Sequence, residues 1–217
     1  GGVSSKIAPC RSIAHRIIRN IPNTSWPGLS RPPPPLRASR LTLSKGASIC
    51  HKAPMTFEPA LIARAADILL RAQKQNLKIA TAESCTGGLV AALFTEIPGS
   101  SATFDRGFVV YSNAAKHDML GVPVQTIDAN GAVSPQTACA MANGALAHSQ
   151  ADIAVAITGV AGPGGGSAEK PVGLVYLASA RKGAPTLPVE MRYGNLGRAN
   201  VRRAALESAL DLIESRL

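Results

Sequence analysis

Ser84, Cys85 and Thr86 stand side by side, with Gly87 and Gly88 directly behind them, between an apolar run and the start of a helix-like stretch. A hydroxyl or thiol placed there can act as a nucleophile. A helix N-terminus offers free N–H donors and a positive dipole end, which can hold a developing oxyanion. The two glycines let a substrate approach the backbone closely. The same residues also fit an ordinary N-cap turn, and the G-x-S-x-G of a nucleophile elbow is absent.

A second cluster is "VVYSNAAKHDM", where Tyr111 ends a strand-like run and Lys116 follows in the first turns of a helix. A cation at a helix N-terminus opposes the dipole, so Lys116 wants either solvent or a specific task. In a desolvated pocket its pKa would fall and it could deprotonate a serine. From spacing alone a solvated surface lysine is the commoner outcome, and His117 beside it reads as an exposed histidine. The third cluster, "TGVAGPGGGSAEKPVG", leaves a buried strand as a glycine-rich loop whose N–H groups could cradle a phosphate. It matches neither G-x-G-x-x-G nor the P-loop, and a plain surface loop fits it as well. Arg198 and Arg202 stand one helical turn apart, where they could clamp an anion.

The elements that must position these clusters follow from periodicity. Leu61, Ile62, Ala65, Ile68 and Leu69 share one face of a helix over 59–75, with Asn76 as its stop. "LKIAT" (77–81) reads as a strand, and "GLVAALFTEI" reads as a helix that Pro98-Gly99 ends. "GFVVYS" (107–112) is strand-like and runs into the helix "NAAKHDML", which Gly121 ends. Ser134-Pro135 caps and starts a helix reaching His148. "IAVAIT" (153–158) is a strand of buried-sheet type, and "VGLVYLAS" and "LPVEMRY" are neighbouring strands. The last helix, over 199–217, buries Val201, Ala205, Ala209, Leu212 and Ile213. This alternation predicts an α/β fold, a three-layer α/β/α sandwich. The late strand pair is too closely spaced for a crossover helix, so the sheet is mixed and mostly parallel.

Composition separates two parts of the chain. The formal net charge is +10. Residues 1–54 carry nine of the basic residues and no acidic ones, which leaves 14 basic and 13 acidic residues from Met55 onward. That first stretch also holds "RPPPPL" and shows no sustained period, so it reads as a disordered basic extension. Three readings of it follow, in order of preference: an addition before a natural start at Met55, an organellar transit peptide, and a nucleic-acid-binding arm. Residues 55–217 form the expected folded domain, to which the extension contributes nothing. Its near-neutral charge argues against a nucleic-acid partner. Cys10, Cys50, Cys85 and Cys139 have neither disulfide nor zinc spacing. No run is long and apolar enough for a membrane span, which predicts a cytoplasmic protein without membrane contacts.

Four motifs together carry a family resemblance. "TAESCTGG", "GSSATFDRGFVVYSNAAKHDMLGV", "GAVS" and "ITGVAGPGGGSAEKPVG" strongly resemble, in order and in register, the CinA C-terminal domain family, the nicotinamide-nucleotide amidohydrolases. The resemblance covers 55–217. It implies deamidation of nicotinamide mononucleotide to nicotinate mononucleotide and ammonia in pyridine nucleotide recycling, without metal or cofactor. The family's nucleophile falls on Ser84, its base on Lys116 and its catalytic tyrosine on Tyr111. The implied substrate-binding set is Cys85, Thr86, Gly87, Gly88, Asn113, Thr158, Gly159, Ala161, Gly162, Arg198 and Arg202. The expected partner is the small-molecule nucleotide, with homo-oligomerisation left open. The competing class is a non-catalytic competence or DNA-damage protein that binds nucleotides or nucleic acid.

Overall fold

Three short apolar runs form the centre of a five-stranded sheet in the computed structural model, which describes residues 57–217. The 1–54 extension and the expectations for it lie outside the described residues. The elements are α1 (Pro59–Lys74), β1 (Ile79–Glu83), α2 (Leu89–Thr95), β2 (Phe104–Val109), α3 (Asn113–Leu120), α4 (Val124–Asn130), α5 (Pro135–Ala147), β3 (Ile153–Gly159), β4 (Leu174–Arg181), β5 (Ala184–Arg192) and α6 (Arg198–Glu214).

The strands lie in the order β2-β1-β3-β4-β5. Both neighbours of β1 run parallel to it, whereas β3–β4 and β4–β5 are antiparallel. Four strands therefore point one way and β4 alone is reversed, giving the mixed sheet. Lys182 and Gly183 join β4 to β5, a connection that permits only a hairpin.

Residue size along the strands sets what covers each face. Ile79, Ile153, Val155, Ile157, Val175 and Leu177 face α1, α2 and α6. Their sequence neighbours Ala80, Ala82, Ala154, Ala156, Ala178 and Ala180 face α3, α4 and α5. The period of two is thus present inside runs that look uniformly apolar. The alanine face lets α5 lie close to the sheet, and α5 has its own small residue at a tight contact. A Cβ at Gly144 would stand 2.1 Å from the Leu120 carbonyl oxygen and 2.9 Å from Leu120 Cβ. Alanine is otherwise the better helix former, so the backbone clash decides the sign. Gly144→Ala is expected to lower the thermal midpoint by roughly 4–8 °C, equivalent to about 2 kcal/mol. An unchanged midpoint in a thermal melt would show that α3 and α5 can move apart freely.

Several boundaries differ from the sequence-based expectation. β1 extends through Glu83 rather than ending at Thr81, because α2 supplies hydrogen-bond donors to the Glu83 carboxylate. β2 begins at Phe104, and its exposed Arg106 and Val109 fit its place at the edge of the sheet. Tyr111 and Ser112 leave the sheet, since Ser112 caps α3 by accepting from the Ala115 amide at 3.0 Å. α4 was not expected at all. In α6, Leu206 and Leu210 take core positions, while Leu212 is only partly buried.

Candidate active site

Register brings the clusters together. Glu83, the last residue of β1, lies beside Val109 of β2 and Ile157 of β3. The three loops that follow these parallel strands therefore emerge side by side, with the Ser84 loop in the middle. The chain moves from β1 to β2 on one side and later to β3 on the other, which opens a crevice at that edge. A cleft of about 190 Å³ occupies it, lined by Ser84, Cys85, Tyr111, Asn113, Lys116, Ala132, Val133, Thr158, Gly159, Ala161 and Arg198.

Lys116 is only 1% exposed, although it sits in the first turns of α3. Its Nζ lies 3.1 Å from Ser84 Oγ, 3.1 Å from the Val110 carbonyl and 3.3 Å from the Tyr111 carbonyl. Among the described residues it is in no ion pair. Burial pushes its pKa below the ordinary lysine value. A neutral amine has two N–H groups and one lone pair. The two carbonyls can accept the N–H groups, which leaves the lone pair for the Ser84 hydroxyl proton. The plain surface-lysine alternative for Lys116 does not hold.

Two left-handed glycines make the turn that follows Ser84. Gly87 has φ 62° and Gly88 has φ 92°, a region that side chains rarely adopt. The Ser84 amide donates to the Ile157 carbonyl at 3.0 Å, and the Gly87 amide donates to the Ser84 carbonyl at 3.1 Å. Gly88 donates to Glu83 Oε2 at 3.0 Å. The amides of Cys85 and Thr86 donate to no other residue among those described. An oxyanion hole built from this turn would therefore use Cys85 and Thr86, and Gly87 and Gly88 serve by shaping it.

Cys85 is 6% exposed, and burial pushes its thiol up to about 11. A thiol so rarely ionised is a poor nucleophile at neutral pH. Tyr111, 63% exposed, stands at the mouth of the cleft, and its hydroxyl accepts from Arg198 at 3.1 Å. Arg198 also donates to the Gly162 carbonyl at 3.0 Å. Arg202 turns elsewhere, donating to the Thr86 carbonyl at 2.7 Å. The two arginines are one turn apart as expected, but they do not form a joint clamp, because the Thr86 carbonyl engages Arg202 outside the cleft. Thr158 lines the cleft and donates through its hydroxyl to the Ala132 carbonyl at 2.7 Å. His117 is exposed, with a ring nitrogen 3.0 Å from the Val122 carbonyl. No group of three metal-ligating side chains gathers among the described residues.

Sequence reasoning missed Ala132 and Val133, which line the cleft from the α4–α5 connection. It also missed Glu83. The signal for Glu83 was available: a carboxylate at the end of a buried strand must find donors, and a helix start is the nearest supply.

Comparison with known proteins bears on the family and the fold. Residues 62–217 match the family model of the CinA C-terminal domain. A CinA-like protein from Akkermansia muciniphila is 45% identical over 172 residues, covering 79% of this chain and 40% of that protein. A nicotinamide-nucleotide amidohydrolase, PncC, from Enterobacter agglomerans is 54% identical over 115 residues, covering 53% of this chain and 70% of that protein. The crystal structure of the competence/damage inducible protein CihA from Agrobacterium tumefaciens superimposes with a TM-score of 0.73 at 52% identity. That match covers 75% of this chain and 98% of the other. The chain spans 25–40% of the length of the first curated relatives it matches.

Proposed function

The chain belongs to the CinA C-terminal domain family, and on that premise we propose that it hydrolyses the carboxamide of nicotinamide mononucleotide. The products are nicotinate mononucleotide and ammonia. The observation that carries the reading is the buried contact of 3.1 Å between Lys116 Nζ and Ser84 Oγ. The similarity to a protein named nicotinamide-nucleotide amidohydrolase supports the choice of substrate.

The neutral Lys116 amine takes the Ser84 proton as Oγ attacks the carboxamide carbon. The carbonyl oxygen becomes an oxyanion facing the Cys85 and Thr86 amides. Collapse breaks the C–N bond, and the leaving nitrogen takes the proton held by the Lys116 ammonium, directly or relayed through the Tyr111 hydroxyl, which returns Lys116 to the neutral amine. Water then attacks the acyl-serine ester with Lys116 again as base, releasing the carboxylate and restoring Ser84. The net change is amide plus water to acid plus ammonia. Arg198 at the mouth offers a cation to the 5′-phosphate. Asn113, Thr158, Gly159 and Ala161 contribute to the walls around the ring and ribose. Pyridine nucleotide recycling in the cytoplasm is the setting in which such a reaction is useful. Among the described residues no helix is long and apolar enough to cross a membrane.

The test is ammonia release across a panel containing nicotinamide mononucleotide, its phosphate-free nucleoside, free nicotinamide and an aliphatic amide. Turnover is expected to be highest on the mononucleotide. Efficient release from a different amide, with none from the mononucleotide, would assign the same machinery to another substrate.

A further inference from the structure

Glu83 is 0% exposed, and its carboxylate is the most heavily hydrogen-bonded side chain beside the cleft. Oε2 accepts from the Gly88 amide at 3.0 Å and the Val90 amide at 3.2 Å. Oε1 accepts from the Ala91 amide at 2.9 Å and the Thr81 hydroxyl at 3.2 Å. It is in no ion pair among the described residues. A helix start is ordinarily capped by a short Ser, Thr, Asp or Asn at the first position. Here the position before α2 is Gly88, which has no side chain to cap with. The cap comes instead from the end of β1, five residues upstream.

A buried carboxylate is costly unless its donors are fixed, so a short polar cap would be the cheaper solution. The longer route has a geometric consequence. It ties the end of β1 to the start of α2 across the turn that carries Ser84. Ser84 is then held at its amide by Ile157, at its carbonyl by Gly87, and at both flanks by the Glu83 bonds. The Gly88, Val90 and Ala91 amides are also taken, whereas those of Cys85 and Thr86 donate to no other described residue and stay open to an anion at the turn. We propose that Glu83 is the positioning residue of the nucleophile turn, holding Ser84 Oγ against Lys116 and directing the oxyanion to the Cys85 and Thr86 amides. The proposal rests on the reading of Ser84 as nucleophile.

Glu83→Gln keeps the shape and one acceptor but places an NH₂ group against amide donors. Three measurements on the full chain test it: kcat and KM for ammonia release, the rate of Ser84 sulfonylation by phenylmethylsulfonyl fluoride, and the thermal midpoint. Well below its midpoint, E83Q is expected to lose about 20-fold in kcat and in sulfonylation rate together, with KM within about twofold. Glu83→Asp, which keeps the charge but falls one methylene short, is expected to recover part of both rates. A variant with a lowered midpoint but wild-type kcat and sulfonylation rate would reduce Glu83 to a structural cap and overturn the proposal. If E83Q does not fold, E83D carries the same comparison. Failure of the underlying reading looks different: Ser84→Ala would then be active, or sulfonylated as fast as the wild type, whatever Glu83 does. Sulfonylation needs no substrate, so it tests Glu83 even if the carboxamide proves to be a different one.

Discussion

Ser84→Ala and Lys116→Ala are each expected to lower kcat for ammonia release by about ten-thousandfold or more, and the double variant to fall no further than roughly threefold below the worse single one. The reason is the single contact they share. With Nζ 3.1 Å from Oγ, the proposed mechanism gives neither residue a catalytic role without the other. Residues that act as a unit lose everything at the first removal, whereas independent contributions would multiply. Cys85→Ala provides the contrast. Its thiol, buried and pushed up to about 11, is not poised to attack, so the variant is expected to retain most activity. Thiol alkylation of the wild type is expected to be slow, because Cys85 is only 6% exposed. Steady-state assays of the four variants decide the matter. An active Ser84→Ala protein, or one inactivated by Cys85→Ala with its fold intact, would overturn the assignment.

The same pair fixes the sign of the pH dependence. In the proposed mechanism the active form of Lys116 is the neutral amine, and burial lowers its pKa from the ordinary lysine value. Activity is therefore expected to rise with pH as Lys116 loses its proton. The acid limb of kcat/KM lies below the value of about 10.4 for a free lysine. In the opposite arrangement, with a carboxylate paired to Lys116, the limb would move upward. Among the described residues none is paired with it, and the neighbouring Glu83 faces α2 instead.

How far this site could be read from sequence depended on whether a residue's partner was local. Ser112 and Ser134 cap α3 and α5 from within three residues, so both helix starts were legible. Gly87 and Gly88 marked a turn open to close backbone approach by composition, and their left-handed conformation is what the structure adds. The Ser84–Lys116 contact was not visible in spacing, because 32 residues separate the two. It required β1 and β2 to be parallel and adjacent, which periodicity allows without stating. Burial of Lys116 was hidden for the same reason, since its position near a helix N-terminus predicts solvent. Glu83 was missed because strand ends are read as apolar, and its donors belong to the next helix. The arginines failed differently. Their spacing of one turn was correct, yet a carbonyl in the nucleophile turn engages one of them.

That division of labour sets the second large effect. Arg198 lines the cleft, and among the described residues its guanidinium is held by the Gly162 carbonyl and the Tyr111 hydroxyl alone. Both are neutral acceptors that a phosphate can outcompete, because charge-assisted bonds are roughly twice as strong. Arg198→Ala is therefore expected to raise KM for the mononucleotide by about 100-fold, the scale of a lost guanidinium–phosphate pair. The phosphate-free nucleoside supplies the control. Its kcat/KM is expected to fall only by the smaller effect of leaving Tyr111 without its arginine, and that effect appears with both substrates. Arg202 is held by the Thr86 carbonyl at 2.7 Å and lies outside the cleft lining. Arg202→Ala is thus expected to lower kcat on nucleotide and nucleoside alike, by loosening the turn that carries Ser84, with little change in KM. A charge-preserving Arg198→Lys change is expected to recover part of the nucleotide KM, because a point charge still attracts phosphate without the bidentate fork. Equal losses on both substrates for Arg198→Ala would mean that it acts through Tyr111 alone. A selective KM defect in Arg202→Ala would instead place the phosphate on the far side of the nucleophile turn.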